Sequence, residues 1–415
     1  TYFGTTSQLE GGGRTGYVIE YYMRNNTGFR DMDTNTPDVR GEPNTGFTRQ
    51  EPMLKVFWEP KTNLYQRIEA KFGFSNLDAN VTYTGLSNED FAANPLRRYS
   101  ASRFDEIEST QYRSYIRHLI ELNSDTSLVT TFYGNTFNRN WQKLDKVGTT
   151  ATGGGGTSQS EAMAQKTLAS YQCLTGDGAG SDCNFTVKNN NRTYHSYGVQ
   201  ADLKHRLITG DVKHDLNLNV RAHWDQIRRK QWKEVFDQEV GGGVIGVTTL
   251  ARGSDSNRTQ KTMATAVNLS DKIQVGKVTF TPGVRTETIT AKYCDDNTNC
   301  ATDTMEGERT YTVVVGGGAV KYDAIDAGGK DLDIFAGVHR GFSPAAPRSN
   351  IKDGTKHETS VGMEIGARYQ DAPQAFSTEA VLFMTTIDNL VTPDSVGGSG
   401  GALGLNAGKV RTMGI

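Results

Sequence analysis

The residues of this chain best suited to chemistry are arginines. Arg97 and Arg98 are adjacent with Arg103 close behind, and Arg139, Arg228, Arg229, Arg340 and Arg348 stand near the ends of regularly alternating segments. A guanidinium is a planar fork of donors that grips a carboxylate through two parallel hydrogen bonds. Such a set suits capture of an anionic ligand, with Arg97 and Arg98 the strongest candidate pair. The competing assignment pairs these arginines with loop acids such as Asp90, Asp105, Glu106 and Asp225, as solvated ion pairs.

Other chemistry is thinly supported. His195 and His339 are isolated, with no His, Asp or Glu at metal-ligand spacing, so no metal site is expected. Gly397-Gly398-Ser399-Gly400-Gly401 matches a nucleophile-elbow pattern, but it lies in a glycine-rich run without a strand-turn-helix context. The glycine runs at 153–156 and 241–243 are not followed by the Lys-Ser/Thr of a phosphate loop. No enzymatic activity and no permanently bound cofactor are expected. Cys173 with Cys183, and Cys294 with Cys300, each fall within one polar loop and are candidates for local disulfides in an oxidising compartment.

The elements that must position the arginines are strands. Leu216, Leu218, Val220, Ala222 and Trp224 alternate with Asp215, Asn217, Asn219, Arg221 and His223, so one face is apolar and the other polar. Val361, Met363, Ile365, Ala367 and Tyr369 alternate in the same way with polar or small residues. About fifteen such segments occur, many near the roughly 10 residues a tilted strand needs to cross a bilayer. Short turns at 60–63, 123–126, 209–213, 274–276, 327–330 and 371–373 take turns with long polar loops at 76–107, 143–191, 229–257 and 294–308. Long loops on one side and tight turns on the other are the asymmetry of outer-membrane barrels, with the turns facing the periplasm.

Composition is compatible. A mean hydropathy of -0.56, with no apolar run near eighteen residues, excludes a helical membrane protein but not a barrel, whose lumen residues dilute the hydropathy. A net charge of -2 gives no basic excess of the kind nucleic-acid binding favours. Trp58, Tyr65, Tyr322 and Tyr369 flank short turns as an interfacial aromatic girdle would, and Phe74, Trp141 and Trp224 mark the outer rim or pack the loops. Arg221, Arg285, Glu287, Asp333, Glu364, Arg368 and Glu379 fall on polar faces, where pairing with a plug is expected. Thr1 and Ile415 both lie in strand-like segments, and an open sheet would leave unpaired edges in lipid. The expectation is one domain over 1–415, an internal piece of a larger all-β transmembrane barrel.

Particular stretches carry a family resemblance. Gly13-Arg14-Thr15-Gly16-Tyr17 through Asn26-Thr27-Gly28-Phe29-Arg30-Asp31 is one. Thr84-Gly85-Leu86-Ser87-Asn88-Glu89-Asp90-Phe91-Ala92-Ala93-Asn94-Pro95, followed by Arg97-Arg98-Tyr99, is another. With Phe335-Ala336-Gly337-Val338-His339-Arg340-Gly341-Phe342-Ser343-Pro344 and Thr386-Ile387-Asp388-Asn389-Leu390-Val391, they resemble the barrel of TonB-dependent outer-membrane receptors of the ferric-citrate-receptor type.

The resemblance implies a 22-stranded antiparallel barrel with an N-terminal plug, importing a ferric chelate (citrate or another siderophore) with energy from the TonB complex. Under it the chain covers about the second strand to the start of the sixteenth, without the plug. It implies a monomer in the bacterial outer membrane, in contact with lipid and with lipopolysaccharide, whose phosphates also offer partners to rim arginines. A passive porin would share the strands but usually closes at about sixteen to eighteen. A secreted soluble β-protein binding carbohydrate would need a second layer over its apolar strand faces.

Overall fold

Period-two alternation becomes an antiparallel meander in the computed structural model, which describes residues 2–33, 45–177, 183–295, 306–352, 354–393, 404–406 and 408–415. The wall strands are β1 (Tyr2–Gln8), β2 (Arg14–Asn26), β3 (Phe47–Glu59), β4 (Gln66–Ala79) and β5 (Glu106–Asn123). Then come β6 (Thr126–Thr149), β7 (Arg192–Thr209), β8 (Val212–Gln238), β9 (Ser256–Val275) and β10 (Val278–Asp295). The last are β11 (Gly307–Ala327), β12 (Lys330–Ser343), β13 (Glu358–Asp371), β14 (Phe376–Asp388) and β15 (Lys409–Gly414). Each pairs antiparallel with the next in the chain. With short strands at Gly155–Ser158, Asn184–Asn189 and Val244–Thr249 they make one 18-stranded sheet.

Register sorts the side chains into two faces. Ile19, Leu54 and Phe72 lie in one cross-strand row, and Leu218, Leu269 and Val284 in another. Val338 and Met363 continue this face, and all of these residues are exposed, Phe72 by 48 % and Met363 by 46 %. An open apolar band of this extent on consecutive strands belongs against lipid, not water. No second layer covers it among the described residues, which removes the condition a soluble β-protein would need.

The turns are tight because their residues allow it. Gly328 and Gly329 between β11 and β12 have φ of +63° and +77°, the pair of left-handed residues a type I′ hairpin needs. At the other end the strands outrun the membrane. β6 has 24 residues and β8 has 27, well beyond the roughly 10 needed for crossing. The loops expected from 143 and 229 therefore begin later, after Thr149 and Gln238.

Polar inner-face residues bind the wall to itself. Arg14 grips Glu59 at 2.6 and 3.0 Å, Arg67 bridges Glu59 and Glu69 at 3.0 and 3.1 Å, and Lys55 reaches Glu69 at 3.0 Å. Arg285 pairs with Glu287, Arg368 with Glu379, and Asp333 with Lys321. Of the seven charges expected to pair with a plug, Arg285, Glu287, Asp333, Arg368 and Glu379 thus have charged partners within the wall. Of the aromatics, Trp224 stacks on Tyr197 at 5.7 Å on the outer face, whereas Trp141 faces inward under Tyr83 at 5.6 Å and packs a loop.

Candidate functional site

The long loops after β4, β6 and β8 fold together into a module with its own core. Its apolar centre comprises Tyr99, Phe104, Leu144, Phe185, Val187 and Phe236, with Leu174 and Cys173 beside them. Phe236 stacks on Phe104 at 4.3 Å and on Phe185 at 5.1 Å. Short helices α1 (Asn88–Ala93), α2 (Gln159–Ala164) and α3 (Ala169–Thr175) frame it, α1 capped by Ser87 and α2 by a Ser158–Glu161 capping box.

Cys173 and Cys183 are bonded across a sequence separation of 10. Cys300 lies outside the described residues, so the second expected pair is not described. Reduction of Cys173–Cys183 is expected to remove about 3 kcal/mol from the module and nothing from the wall; faster hydrogen exchange confined to 159–189 checks it, and equal exchange with and without reductant refutes it.

Two carboxylates organise the module. Asp90 receives Arg97 at 2.8 Å, Lys166 at 3.0 Å, the Tyr99 hydroxyl at 2.6 Å and the Ser87 hydroxyl at 2.7 Å. Burial works against its charge, but the hydrogen bonds from Tyr99, Ser87, Lys166 and Tyr171 prevail and hold its pKa well below the usual carboxylate range. Asp105 is fully buried, accepts from Thr82 at 2.7 Å and from the Leu144 amide at 2.5 Å, and burial pushes its pKa up to about 6.

These contacts settle where the first three candidate arginines lie. Arg97 forks onto Asp33 at 2.6 and 3.0 Å as well as reaching Asp90. Arg98 is 2 % exposed and donates to the carbonyls of Asn80, Ser102 and Asp105. Arg103 donates to Ser100 and to the Gly242 carbonyl, tying two loops together. The pair expected to meet ligand is thus built into the loop scaffold, since the short polar loop between α1 and β5 folds back and must satisfy its own carbonyls.

A different cationic array lies on the inner face, above the Tyr197–Trp224 ring pair. Arg139, Arg192, Arg229 and Arg258 are directly opposite one another on β6, β7, β8 and β9. Two same-face positions outward, Lys143, Lys188 and Lys233 form a second row. Asp145 and Asp255 neutralise Lys188 and Lys233, at 2.6 to 3.5 Å. No described carboxylate pairs with Arg139, Arg192 or Arg229. Arg192 donates to Asn190 at 3.1 Å, and the Arg139 Nε is buried without a partner. Burial, then the charges of Arg192 and Arg258, pull the Arg229 pKa down to about 10.

Like charges directly across a sheet are destabilising, so a row of four needs a reason outside folding. Beneath it Phe137 and Tyr194 pack at 5.7 Å, giving the row an aromatic floor. The helix α4 (Pro347–Lys352) sits beside its end, where the Arg348 amide donates to Gln260 at 3.2 Å and Arg309 to the Asn350 carbonyl at 2.9 Å. Of the expected residues, then, the row contains Arg139 and Arg229, with Arg348 adjacent. Arg228 and Arg340 share the outer face with Val220 and Val338 and do not join it, because neighbours on a strand point to opposite sides. Arg192, Arg258, Lys143, Lys188 and Lys233 were not singled out in the sequence, being scattered along it.

The fold matches a known group. The family model "TonB dependent receptor-like, beta-barrel" covers residues 58–415. The chain belongs to the TonB-dependent receptor β-barrel family. Among solved structures, this receptor barrel is similar to the unliganded ferric citrate transporter FecA, at 16 % identity over 99 % of this chain and 50 % of that one, TM-score 0.68. It is also similar to the ferric-catecholate import receptor Fiu of E. coli K12, closed form, at 13 % identity over 99 % and 58 %, TM-score 0.67. The ferric yersiniabactin receptor FyuA of Yersinia pestis gives 12 % over 100 % and 54 %, TM-score 0.64. The receptor barrel spans about half the length of these structures, 50 to 58 %. No curated protein matches it.

Proposed function

We propose that this chain is part of the wall of a bacterial outer-membrane receptor, monomeric and powered through TonB, that takes up an anionic ferric chelate as its cargo. The observation that carries the reading is the inner-face row of Arg139, Arg192, Arg229 and Arg258 under the loop module, in which no described carboxylate pairs with Arg139, Arg192 or Arg229. Three neighbouring guanidiniums that no described carboxylate pairs with favour an anion arriving from outside. Ferric citrate, or another polycarboxylate siderophore, has the required chemistry: several carboxylates around a compact, net negative complex. Arg348 on α4 lies beside the end of this row. A passive channel offers no comparable reason to keep like charges opposed.

The test is binding of a panel of iron chelates to the full-length receptor in detergent. Ferric citrate and other anionic chelates are expected to bind, with affinity falling as salt rises, while neutral and cationic ferric chelates bind at least tenfold more weakly. Equal binding of neutral and anionic chelates would overturn the anionic assignment.

A further inference from the structure

A hydrogen-bonded chain of titratable groups crosses the inner face about 20 Å below the arginine row, counting from Arg139 to Tyr133 on β6 and from Arg229 to His223 on β8 at about 3.3 Å per residue. Tyr133, Gly198, His223 and Ala264 lie directly opposite one another on β6, β7, β8 and β9. Gly198 opens the path. A Cβ there would stand 2.5 Å from the Tyr133 hydroxyl, so the phenol crosses β7 over bare backbone and reaches β8. Its Oη lies 2.7 Å from His223 Nδ1 and receives Arg221 Nε at 2.9 Å, and Arg221 Nη2 stands 3.2 Å from the same Nδ1. His223 Nε2 faces Asp225 at 3.6 Å.

Donor counting fixes the protons. A guanidinium can only donate, so Nδ1 is an acceptor, Tyr133 gives it the hydroxyl proton, and the imidazole proton sits on Nε2, toward Asp225. The chain is then closed on itself. An imidazole changes charge between pH 5 and 8, and a proton on Nδ1 takes away the acceptor of Tyr133 and sets a second cation against Arg221. The other charges facing this imidazole are Asp225 on its own strand and Glu287 on β10, which Arg285 already holds. β7 and β9 present only Gly198 and Ala264 there. No described carboxylate pairs with Arg221, whose partners are Tyr133 and His223. Tyr133 also lines a cavity of about 670 Å³ with Tyr22, Lys71, Gln111, Arg113 and Tyr115, a volume in the range of small-ligand sites. Of the acids around it, Glu51 is held by Arg49 at 2.7 Å, leaving Glu20 against Lys71 and Arg113.

We infer that Tyr133, Arg221 and His223 form a second seat for a carboxylate-bearing anionic chelate, nearer the short turns than the arginine row and opened by protonation of His223. This deepens the uptake reading above and rests on it. Open, the seat offers a carboxylate the Tyr133 hydroxyl and two cations; closed, those donors satisfy one another.

The experiment titrates ferric citrate calorimetrically into the full-length receptor in detergent at pH 5.0 and pH 8.0. Wild type is expected to bind at two sites at pH 5.0, and at pH 8.0 to keep the upper one while the lower weakens at least tenfold. Every variant meets the same iron species at a given pH, so ratios to wild type cancel the titration of the chelate itself. Arg192→Gln with Arg229→Gln should leave only the lower site at pH 5.0, which tells the two apart. His223→Gln is expected to remove the lower site at both pH values and His223→Lys to hold it open at both. Gly198→Ala, which displaces Tyr133 and alters no charge, should remove the lower site alone. A single site in wild type at both pH values, two sites without pH dependence, or an unchanged lower site in His223→Gln or Gly198→Ala would each overturn the inference. Absence of both sites from wild type would instead overturn the anionic-chelate reading beneath it.

Discussion

Replacing Arg192 and Arg229 together by glutamine is expected to leave the receptor folded and to weaken anionic-chelate binding by at least a hundredfold. The two side chains are cross-strand neighbours at the centre of the row, so each would contribute a charge-assisted contact worth about 1.5–3 kcal/mol. Their loss also removes like-charge repulsion, so thermal stability in detergent is expected to stay level or rise. That combination separates a binding role from a structural one, since a structural residue loses stability when removed. Isothermal titration with ferric citrate, paired with a melting curve, reads both. Unchanged affinity in the double variant would remove the row from the site. As an internal contrast, Arg98→Gln should lower loop-module stability, because its three carbonyl acceptors are left buried without a donor.

The largest expected stability effect is at Asp90. Asp90→Ala leaves Arg97, Lys166, Tyr99 and Ser87 without their shared acceptor, and breaking a largely buried charge cluster of this kind removes about 3–5 kcal/mol. The module after β4 and β6 is expected to open while the wall remains intact, seen as protease cleavage within 80–105 and 159–175 of an otherwise heat-stable barrel. Intact loops in the variant would show that the Phe104, Phe185 and Phe236 core suffices.

Acid should act in the same direction. The Asp90 pKa is lower folded than unfolded, so its stabilisation is complete above about pH 4 and is lost as pH falls below that. Asp105 runs oppositely: with its folded pKa raised to about 6, it favours the closed module below its unfolded value near pH 4, and that contribution is lost as pH rises through 6. Between about pH 4 and 6 the two leave Asp105 as the group that titrates, and loop opening measured over that range should increase with pH in wild type and flatten in Asp105→Asn.

How much of this was readable beforehand differs between wall and loops. The strands were legible because lipid on one side and water on the other impose period two, and the segment ending at Trp224 kept it without interruption. The Arg192–Arg229 pairing was not read, because the turn was placed over 209–213 whereas Thr209 opposes Val212 across Gly210-Asp211, and one residue of register moves every pair on the hairpin. Arg139 and Arg258 could not be placed from a turn. They join β7 and β8 across long connections whose length carries no register. Pairing of Arg97 with the loop acid Asp90 was among the assignments the sequence offered, but the other partners of Arg97 and Arg98, Asp33 and the carbonyls of Asn80, Ser102 and Asp105, could not be read, being brought together only by the module's core.

The inner arginine row has a consequence for which lesions the receptor tolerates. Its spacing belongs to the backbone ladder, so a substitution elsewhere on β6 to β9 leaves the pitch of the charges unaltered. Deleting one residue between Val220 and Arg229 does the reverse: it turns Arg229 toward the outside and Arg228 inward while the hydrophobic segment near the turn stays in place. Missense change at this site is therefore gradual in effect, whereas a single-codon deletion in any of the four strands exchanges the two faces at a stroke.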